Sequence, residues 1–144
     1  MGTSNPATIT VEAIVQSPVE SVWTYWTDPK HIMKWNAASD EWHTPRAEND
    51  LRVGGAFVSR MEAKDGSFGF DFGGVYDEVS LNERIAYTMG DGRKVKIDFI
   101  RQDAATKIVE SFDAEESNPI EMQQAGWQAI LNNFKAYAEN AGKA

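Results

Sequence analysis

The alternation of apolar and polar side chains predicts that the chain begins with a β-strand. Between residues 8 and 15 every second side chain is apolar, at Ile9, Val11, Ala13 and Val15. A period of two is typical of a strand that buries one of its faces.

Two short helices are predicted after this strand. Ser17-Pro18-Val19-Glu20 combines an N-cap serine, a proline at the first helical position and a capping-box glutamate. Apolar residues then recur at helical spacing until Asp28-Pro29, which ends this helix. A second helix is predicted from about Lys30 to Trp35.

From residue 41 to residue 115, strand-like segments alternate with turn signals, which predicts an antiparallel meander. Asp65-Gly66 and Asp91-Gly92 are residue pairs typical of tight hairpin loops. Gly73-Gly74 lies inside a long strand and indicates a bulge or bend, so we expect a strongly curved sheet. The six strands of the meander are predicted at Trp42–Glu48, Ala56–Ala63, Ser67–Val79, Arg84–Met89, Val95–Arg101 and Lys107–Ala114.

A long C-terminal helix has the clearest signals in the chain. Asn118 is a good N-cap, Pro119 occupies the first helical position, and Glu121 lies three residues after the cap. No breaker follows until about Asn140, which gives roughly 30 Å of helix. Its expected apolar face comprises Met122, Trp127, Ile130, Leu131, Phe134, Tyr137 and Ala138. The chain is therefore predicted to be a single α+β domain over residues 1–144, with a curved antiparallel sheet of six or seven strands around this helix.

Composition and charge argue against several classes of partner. The net charge of −8 argues against binding of nucleic acid or an anionic membrane surface. The sequence has no apolar run long enough to span a membrane. Because there are no cysteines and His31 and His43 lack metal-ligand spacing, we expect no metal site and no cofactor. The first residues lack the features of a signal peptide, so we expect a cytoplasmic location.

Several short parts of the chain carry a resemblance to a known family. They are the stretch from Ile9 through Ser17-Pro18-Val19-Glu20, Trp35, Asp50-Leu51-Arg52-Val53-Gly54-Gly55-Ala56-Phe57, Gly74-Val75-Tyr76-Asp77-Glu78-Val79, Glu83-Arg84-Ile85-Ala86-Tyr87-Thr88 and Gly126-Trp127. With the order of the elements, they make residues 8 to 140 resemble the START-like superfamily, which has the helix-grip fold. The branch it resembles contains the activator of heat-shock protein 90 ATPase. The resemblance implies a cavity between the helix and the concave sheet, often for an apolar small molecule, although members range from chaperone activators to ligand carriers and cyclases.

Glu110 is the most informative polar residue for function. It shares strand parity with Ile108 and Phe112, and a carboxyl group on the cavity side would be a candidate functional acid. The alternative register turns Val109 inward and leaves Glu110 in water. The sequence contains no phosphate-binding loop, dinucleotide-binding glycine motif or nucleophile elbow to accompany it.

Aromatic side chains supply the remaining candidates, with five Trp, four Tyr and seven Phe. They either fill the core or line a pocket, and a sheet wrapped around one helix leaves an end that the helix cannot fill. Gly126 marks either a close approach to a strand or a gap that keeps a cavity open beside Trp127. The candidate ligand-binding residues are Trp35, Trp42, Phe57, Phe72, Tyr76, Tyr87, Phe99, Glu110, Phe112, Met122, Gly126, Trp127 and Ile130.

These observations give one leading functional hypothesis and two alternatives. The leading hypothesis is non-enzymatic binding of a small hydrophobic or aromatic molecule between the C-terminal helix and the sheet. The first alternative is a module that interacts with a chaperone. The second is an enzyme of the cyclase or hydrolase type that uses Glu110 with a tyrosine or a histidine.

Overall fold

The helices and strands follow one another in the order that the sequence predicts. The computed structural model describes residues 7–37 and 39–141. Residues 1–6, to which the expectation about a signal peptide refers, lie outside these ranges. The elements are β1 Thr8–Val15, α1 Val19–Thr27, α2 Pro29–Trp35, β2 Trp42–Asn49, β3 Ala56–Ala63, β4 Gly69–Ser80, β5 Arg84–Met89, β6 Lys94–Gln102, β7 Ala105–Asp113 and α3 Ile120–Ala141. The predicted α+β class is thus confirmed.

The seven strands form an antiparallel sheet in the order β1-β7-β6-β5-β4-β3-β2. Strands β2 to β7 are the predicted meander, and β1 adds to its far side next to β7. Gly66 and Gly92 have φ angles of 78° and 92°, as expected for the two tight hairpin loops. Within the described ranges, no helix is long and apolar enough to cross a membrane.

The irregularity in β4 lies further along the strand than predicted. The pairing of β4 with β5 shifts between Tyr76 and Glu78, not at Gly73-Gly74. The two glycines instead allow neighbouring strands to come close. A Cβ atom on Gly73 would lie 2.4 Å from a carbonyl oxygen of β3, and one on Gly74 would lie 2.6 Å from a carbonyl oxygen of β5.

The capping box predicted at the start of α1 is wrong. Pro18 is the N-cap of this helix, and no side chain caps it. Because Pro18 has no backbone N–H, a glutamate has no donor there with which to close a capping box. The Glu20 carboxylate instead accepts a hydrogen bond of 2.7 Å from Arg101 on β6.

The long helix begins one residue later than predicted, at Ile120. Pro119 directly precedes it, and the Pro119 carbonyl oxygen accepts from the backbone N–H of Gln123 at 3.2 Å. The side-chain amide of Asn118, one position further back, donates to the carboxylate of Glu115. The side chain of Gln123 holds the loop before α3 by three hydrogen bonds. Its side-chain amide donates to the carbonyl oxygens of Glu115 (3.0 Å) and Asn118 (2.8 Å), and its oxygen accepts from the backbone N–H of Glu115 (2.9 Å).

Side chains of α3 hydrogen-bond along the outer edge of β1. An edge strand otherwise presents unpaired N–H and C=O groups, which invite pairing with other chains. The contacts run from Gln124 to the carbonyl of Thr10 (3.5 Å), from Gln128 to that of Glu12 (3.1 Å), from Lys135 to that of Ile14 (2.7 Å), and from the N–H of Gln16 to the Glu139 carboxylate (2.8 Å). The helix therefore covers this edge and is held on the β1 side of the sheet.

Apolar packing fixes α3 against the sheet and the short helices. Leu131 and Phe134 are fully buried, and the Trp26 and Trp35 rings pack edge-on against Phe134 with centroids 4.8 and 4.9 Å away. Nearer the start of the helix, Trp127 stacks on Phe112 of β7 with a centroid distance of 3.8 Å. The C-terminal half of α3 is thus enclosed by α1, α2 and the sheet.

Lys135→Met should lower the free energy of unfolding by about 1–2 kcal/mol, because the Ile14 carbonyl and the Glu139 carboxylate both lose a charged donor while the aliphatic stem is kept. Urea denaturation followed by circular dichroism measures this change. Lys34→Met, at an exposed position of α2, is the matched control and should change stability by less than about 0.5 kcal/mol. A loss no larger than that of the control would contradict the role given to this contact.

Candidate functional site: a cavity between helix and sheet

A cavity of about 330 Å³ lies between α3 and the concave face of β3, β4 and β5. Its position follows from the placement of α3, which is attached on the β1 side and leaves the opposite half of the sheet uncovered. Small-molecule sites in proteins occupy about 300–1,000 Å³, so this volume suits a compact ligand.

Aromatic rings from three strands form one wall of the cavity. The Phe57 ring of β3 lies 4.7 Å from that of Tyr87 on β5 and 5.2 Å from that of Tyr76 on β4. Phe72 connects this wall to the helix, since its ring lies 6.0 Å from that of Trp127. The Phe57–Tyr87 and Phe72–Trp127 pairs are edge-to-face and the Phe57–Tyr76 pair is tilted by 32°, so the rings support one another as a firm surface for a flat ligand.

The structure brings eight of the candidate residues from the sequence around this cavity. They are Trp35, Phe57, Phe72, Tyr76, Tyr87, Glu110, Trp127 and Ile130. These residues come from strands β3, β4, β5 and β7, from the short helix α2 and from α3.

Three aromatic candidates do not line the cavity. Phe99 points inward, as its strand parity requires, but Trp23 of α1 covers its ring at 5.3 Å. Phe112 is buried behind the ring of Trp127, which stacks on it. Trp42 lies on the edge strand β2, where it contacts Phe68 at 6.0 Å outside the cavity.

The two candidates at the start of α3 also lie away from the lining. Met122 is 60% exposed, whereas its neighbour Gln123 is only 8% exposed. At the start of α3 the inward-facing residue is therefore Gln123, where the prediction has Met122. At Gly126 an added Cβ atom would meet no atom within 4 Å. Close approach to a strand is therefore the wrong explanation for this glycine, and it is not among the residues that line the cavity.

Several lining residues were missed by the sequence reasoning. Ser59 and Met61 share strand parity with Phe57, and Ile85 and Met89 share it with Tyr87, so alternation along β3 and β5 is a signal that could have found them. Other missed residues have no such signal, because they come from loops, from helix ends or from the first two helices. They are Trp26, Ile32, Asn36, Arg93, Glu115, Asn118 and Gln123. Phe70 does have the alternation signal, since it shares strand parity with Phe72 on β4.

Glu110 faces the interior, which settles the two registers that the sequence left open. It is 6% exposed, and its cross-strand neighbours are Val11 of β1 and Ile97 of β6, both buried. Burial raises the pKa of Glu110 from 4.5 to about 8. In the described part of the chain, no side chain or backbone group hydrogen-bonds its carboxyl group.

A second polar group opens onto the same cavity. Burial raises the pKa of Tyr87 well above its usual value, and the charge of Glu110 raises it further. The Tyr87 hydroxyl has no hydrogen-bond partner among the residues that the structure describes. Tyr76 differs, because its hydroxyl donates to the side-chain oxygen of Asn49 at 2.5 Å.

Charged groups at the cavity are few and largely paired. Arg93 is the one cation of the described lining, and its guanidinium bonds the Asp91 carboxylate at 2.7 Å. Glu115 accepts a hydrogen bond from the side chain of Asn118. Over residues 7–37 and 39–141, no cluster of three or more acidic, histidine or cysteine side chains could hold a metal ion.

Glu110→Gln should change how stability depends on pH. In the unfolded chain the carboxyl ionises near pH 4.5, whereas in the folded protein it stays protonated until about pH 8. The stability that the neutral acid contributes is therefore complete below about pH 4.5 and is lost as the pH rises to about 8. Glutamine does not titrate, so the variant should gain stability relative to the wild type between about pH 5 and about pH 9, by roughly 4 kcal/mol.

Urea unfolding at both pH values measures this gain, and Glu48→Gln on the exposed side of β2 is the matched control. The control should follow the wild-type pH profile. Parallel profiles for Glu110→Gln and the wild type would contradict the burial of an ionisable carboxyl at this position.

Both the sequence and the fold have known counterparts. The family model described as "Activator of Hsp90 ATPase homolog 1-like protein" matches residues 16–139. The solution structure of the AHSA1-like protein from Aeromonas hydrophila is 47% identical, with a TM-score of 0.90 and coverage of 96% of each chain. A protein from Cytophaga hutchinsonii is 60% identical, with a TM-score of 0.81 and coverage of 94% of each chain.

A more distant structure shows how widely the fold extends. A protein from Nitrosomonas europaea has a TM-score of 0.80 at 17% identity, over 95% of this chain and 97% of its own. A search of curated protein sequences gives no match. The family model spans most of the chain, and the resemblance seen in the sequence is confirmed: this protein belongs to the family of activator of Hsp90 ATPase homolog 1-like proteins.

Proposed function

We propose that this protein binds a small hydrophobic or aromatic molecule in the cavity between α3 and the sheet, without transforming it. The observation that carries the proposal is the cavity itself, about 330 Å³ in volume and walled by the rings of Phe57, Phe72, Tyr87 and Trp127. Burial of apolar ligand surface against such walls is worth about 25 cal/mol per Å².

Two features of the site favour binding over catalysis. The enzyme hypothesis requires a tyrosine or a histidine beside Glu110, and His31 and His43 lie outside the cavity. His31 bonds the Tyr137 hydroxyl, and His43 lies near Glu62. Tyr87 is the tyrosine that could act together with Glu110, but its raised pKa makes it a weak proton donor.

A second candidate function is interaction with a chaperone, favoured by a separate observation. Trp42, Phe68 and Phe70 form an aromatic cluster at the β2 edge of the sheet, and Phe68 is 62% exposed. Exposed apolar clusters of this kind are typical of protein–protein contacts. The description of the family model names the activator of Hsp90 ATPase, so Hsp90 is the partner to test by titration against the labelled protein.

Ile130→Trp should block ligand binding, because the larger side chain fills the cavity from α3. The fluorescent, uncharged probe N-phenyl-1-naphthylamine reports binding by its emission on titration. We expect its affinity to fall by about tenfold or more, the equivalent of about 1.4 kcal/mol. Folding of the variant is checked by its amide NMR spectrum.

Ile100→Trp is the matched control, since Ile100 is exposed on β6 and remote from the cavity lining. It should bind the probe as the wild type does. Equal binding by both variants would place the probe elsewhere on the molecule, and absence of binding by the wild type would remove support for a hydrophobic site.

A further inference from the structure

We propose that the ligand of this cavity is an uncharged aromatic molecule that carries a carbonyl or hydroxyl oxygen, and that Glu110, in its protonated form, donates a hydrogen bond to that oxygen. The inference rests on the function proposed above and adds the chemical class of the ligand. It arises from the one carboxyl group that the described cavity lining holds buried and without a hydrogen-bond partner.

The surroundings of Glu110 favour its neutral form from every side. Val11 on β1 and Ile97 on β6 flank it in the sheet, and Ile108 and Phe112 flank it along β7. On the side of α3, the ring of Trp127 stacks directly on Phe112. These apolar neighbours offer nothing that stabilises a carboxylate, so burial alone accounts for its raised pKa.

The ionisable groups that share the cavity do not change this conclusion. They are Tyr76, Tyr87, Arg93 and Glu115, and the Tyr76 hydroxyl already donates to Asn49. Arg93 is committed to Asp91, and no cation contributes to the pKa of Glu110. Glu115 carries the same charge sign, so it gives a carboxylate at Glu110 no stabilisation.

The neutral acid leaves an O–H donor that lacks an acceptor. The Tyr87 hydroxyl is a second such donor on the same cavity, close enough to Glu110 for the charge of one to raise the pKa of the other. No fully buried side-chain polar atom of the described residues lacks a partner, so these two donors open onto the cavity and are accessible to solvent there. A ligand that displaces this solvent has to replace its hydrogen bonds, and an oxygen with two lone pairs can accept from both donors. The site therefore selects for an acceptor on the ligand.

Charged ligands fit the site less well. A cation would require an ionised Glu110 and would bury an ion pair whose desolvation opposes its attraction. An anion would meet Glu115 and a protein of net charge −8. An uncharged oxygen acceptor avoids both costs.

Three naphthalene derivatives of similar shape test the inference by displacement of N-phenyl-1-naphthylamine. These are 2-acetylnaphthalene with a carbonyl acceptor, 2-ethylnaphthalene without a polar group, and 2-(aminomethyl)naphthalene with a cation. In the wild type at about pH 6.5, we expect the acetyl compound to bind about tenfold more tightly than the ethyl compound, the gain of one buried hydrogen bond.

Two variants separate a hydrogen bond from a difference in shape. Glu110→Gln keeps an N–H donor and should retain the preference for the acetyl compound, at about pH 6.5 and at about pH 9 alike. Glu110→Leu removes this donor and leaves only the Tyr87 hydroxyl, so the preference for the acetyl compound should fall well below its wild-type value. In the wild type the preference should shrink at about pH 9, where the carboxyl has lost its proton.

The outcomes distinguish this inference from the function on which it rests. Equal displacement by the acetyl and ethyl compounds in the wild type would overturn the inference and leave hydrophobic binding intact. Tightest binding of the amine, lost in Glu110→Gln, would overturn it in favour of a cationic ligand. Failure of the wild type to bind N-phenyl-1-naphthylamine or any of the three would overturn the proposed function itself. If Glu110→Leu does not fold, a preference in Glu110→Gln that falls at about pH 9 would still contradict the inference.

Discussion

The attachment of α3 to the outer edge of β1 is the interaction on which the rest of this structure depends. Gln124, Gln128 and Lys135 donate to carbonyl groups that the edge strand would otherwise expose. The same contacts fix the helix on one side of a curved sheet seven strands wide. One helix in that position covers β1 and β7 and leaves the concave face of β3 to β5 open.

The interior is divided along the length of the helix. Around Phe134 the rings of Trp26 and Trp35 pack edge-on, and their other sides border the cavity. Around Trp127 the helix stacks on Phe112 on one side and faces the aromatic wall of the sheet across the cavity on the other. The half of α3 around Phe134 contributes core packing. The half around Trp127 borders the cavity, where Glu110 and Tyr87 supply polar groups in an otherwise apolar wall.

Much of this architecture could be predicted from the sequence because its signals are local. Alternation located the strands, Gly66 and Gly92 marked hairpin loops whose positive φ they adopt, and Asp28-Pro29 separated the first two helices. The inward position of Glu110 followed from parity with Ile108 and Phe112, although a competing register remained open until β7 was seen paired with both neighbours.

The rest depended on contacts between distant parts of the chain. Nothing local indicates that Gln123 turns inward to bond the backbone of Glu115, which moves Met122 out to solvent. Phe99 and Phe112 have the parity of lining residues, but rings of α1 and α3 cover them. Which inward-facing residues meet a ligand and which are covered is decided by tertiary packing, to which a single sequence gives no access.

The central claim is that the space left uncovered by α3 is where a ligand binds. Isotope-filtered nuclear Overhauser spectra of the labelled protein with N-phenyl-1-naphthylamine measure this directly. The account predicts contacts from the probe to the methyl groups of Met61, Ile85 and Ile130, which line the cavity. Contacts confined to exposed Met33 and Phe68 on the surface would contradict it.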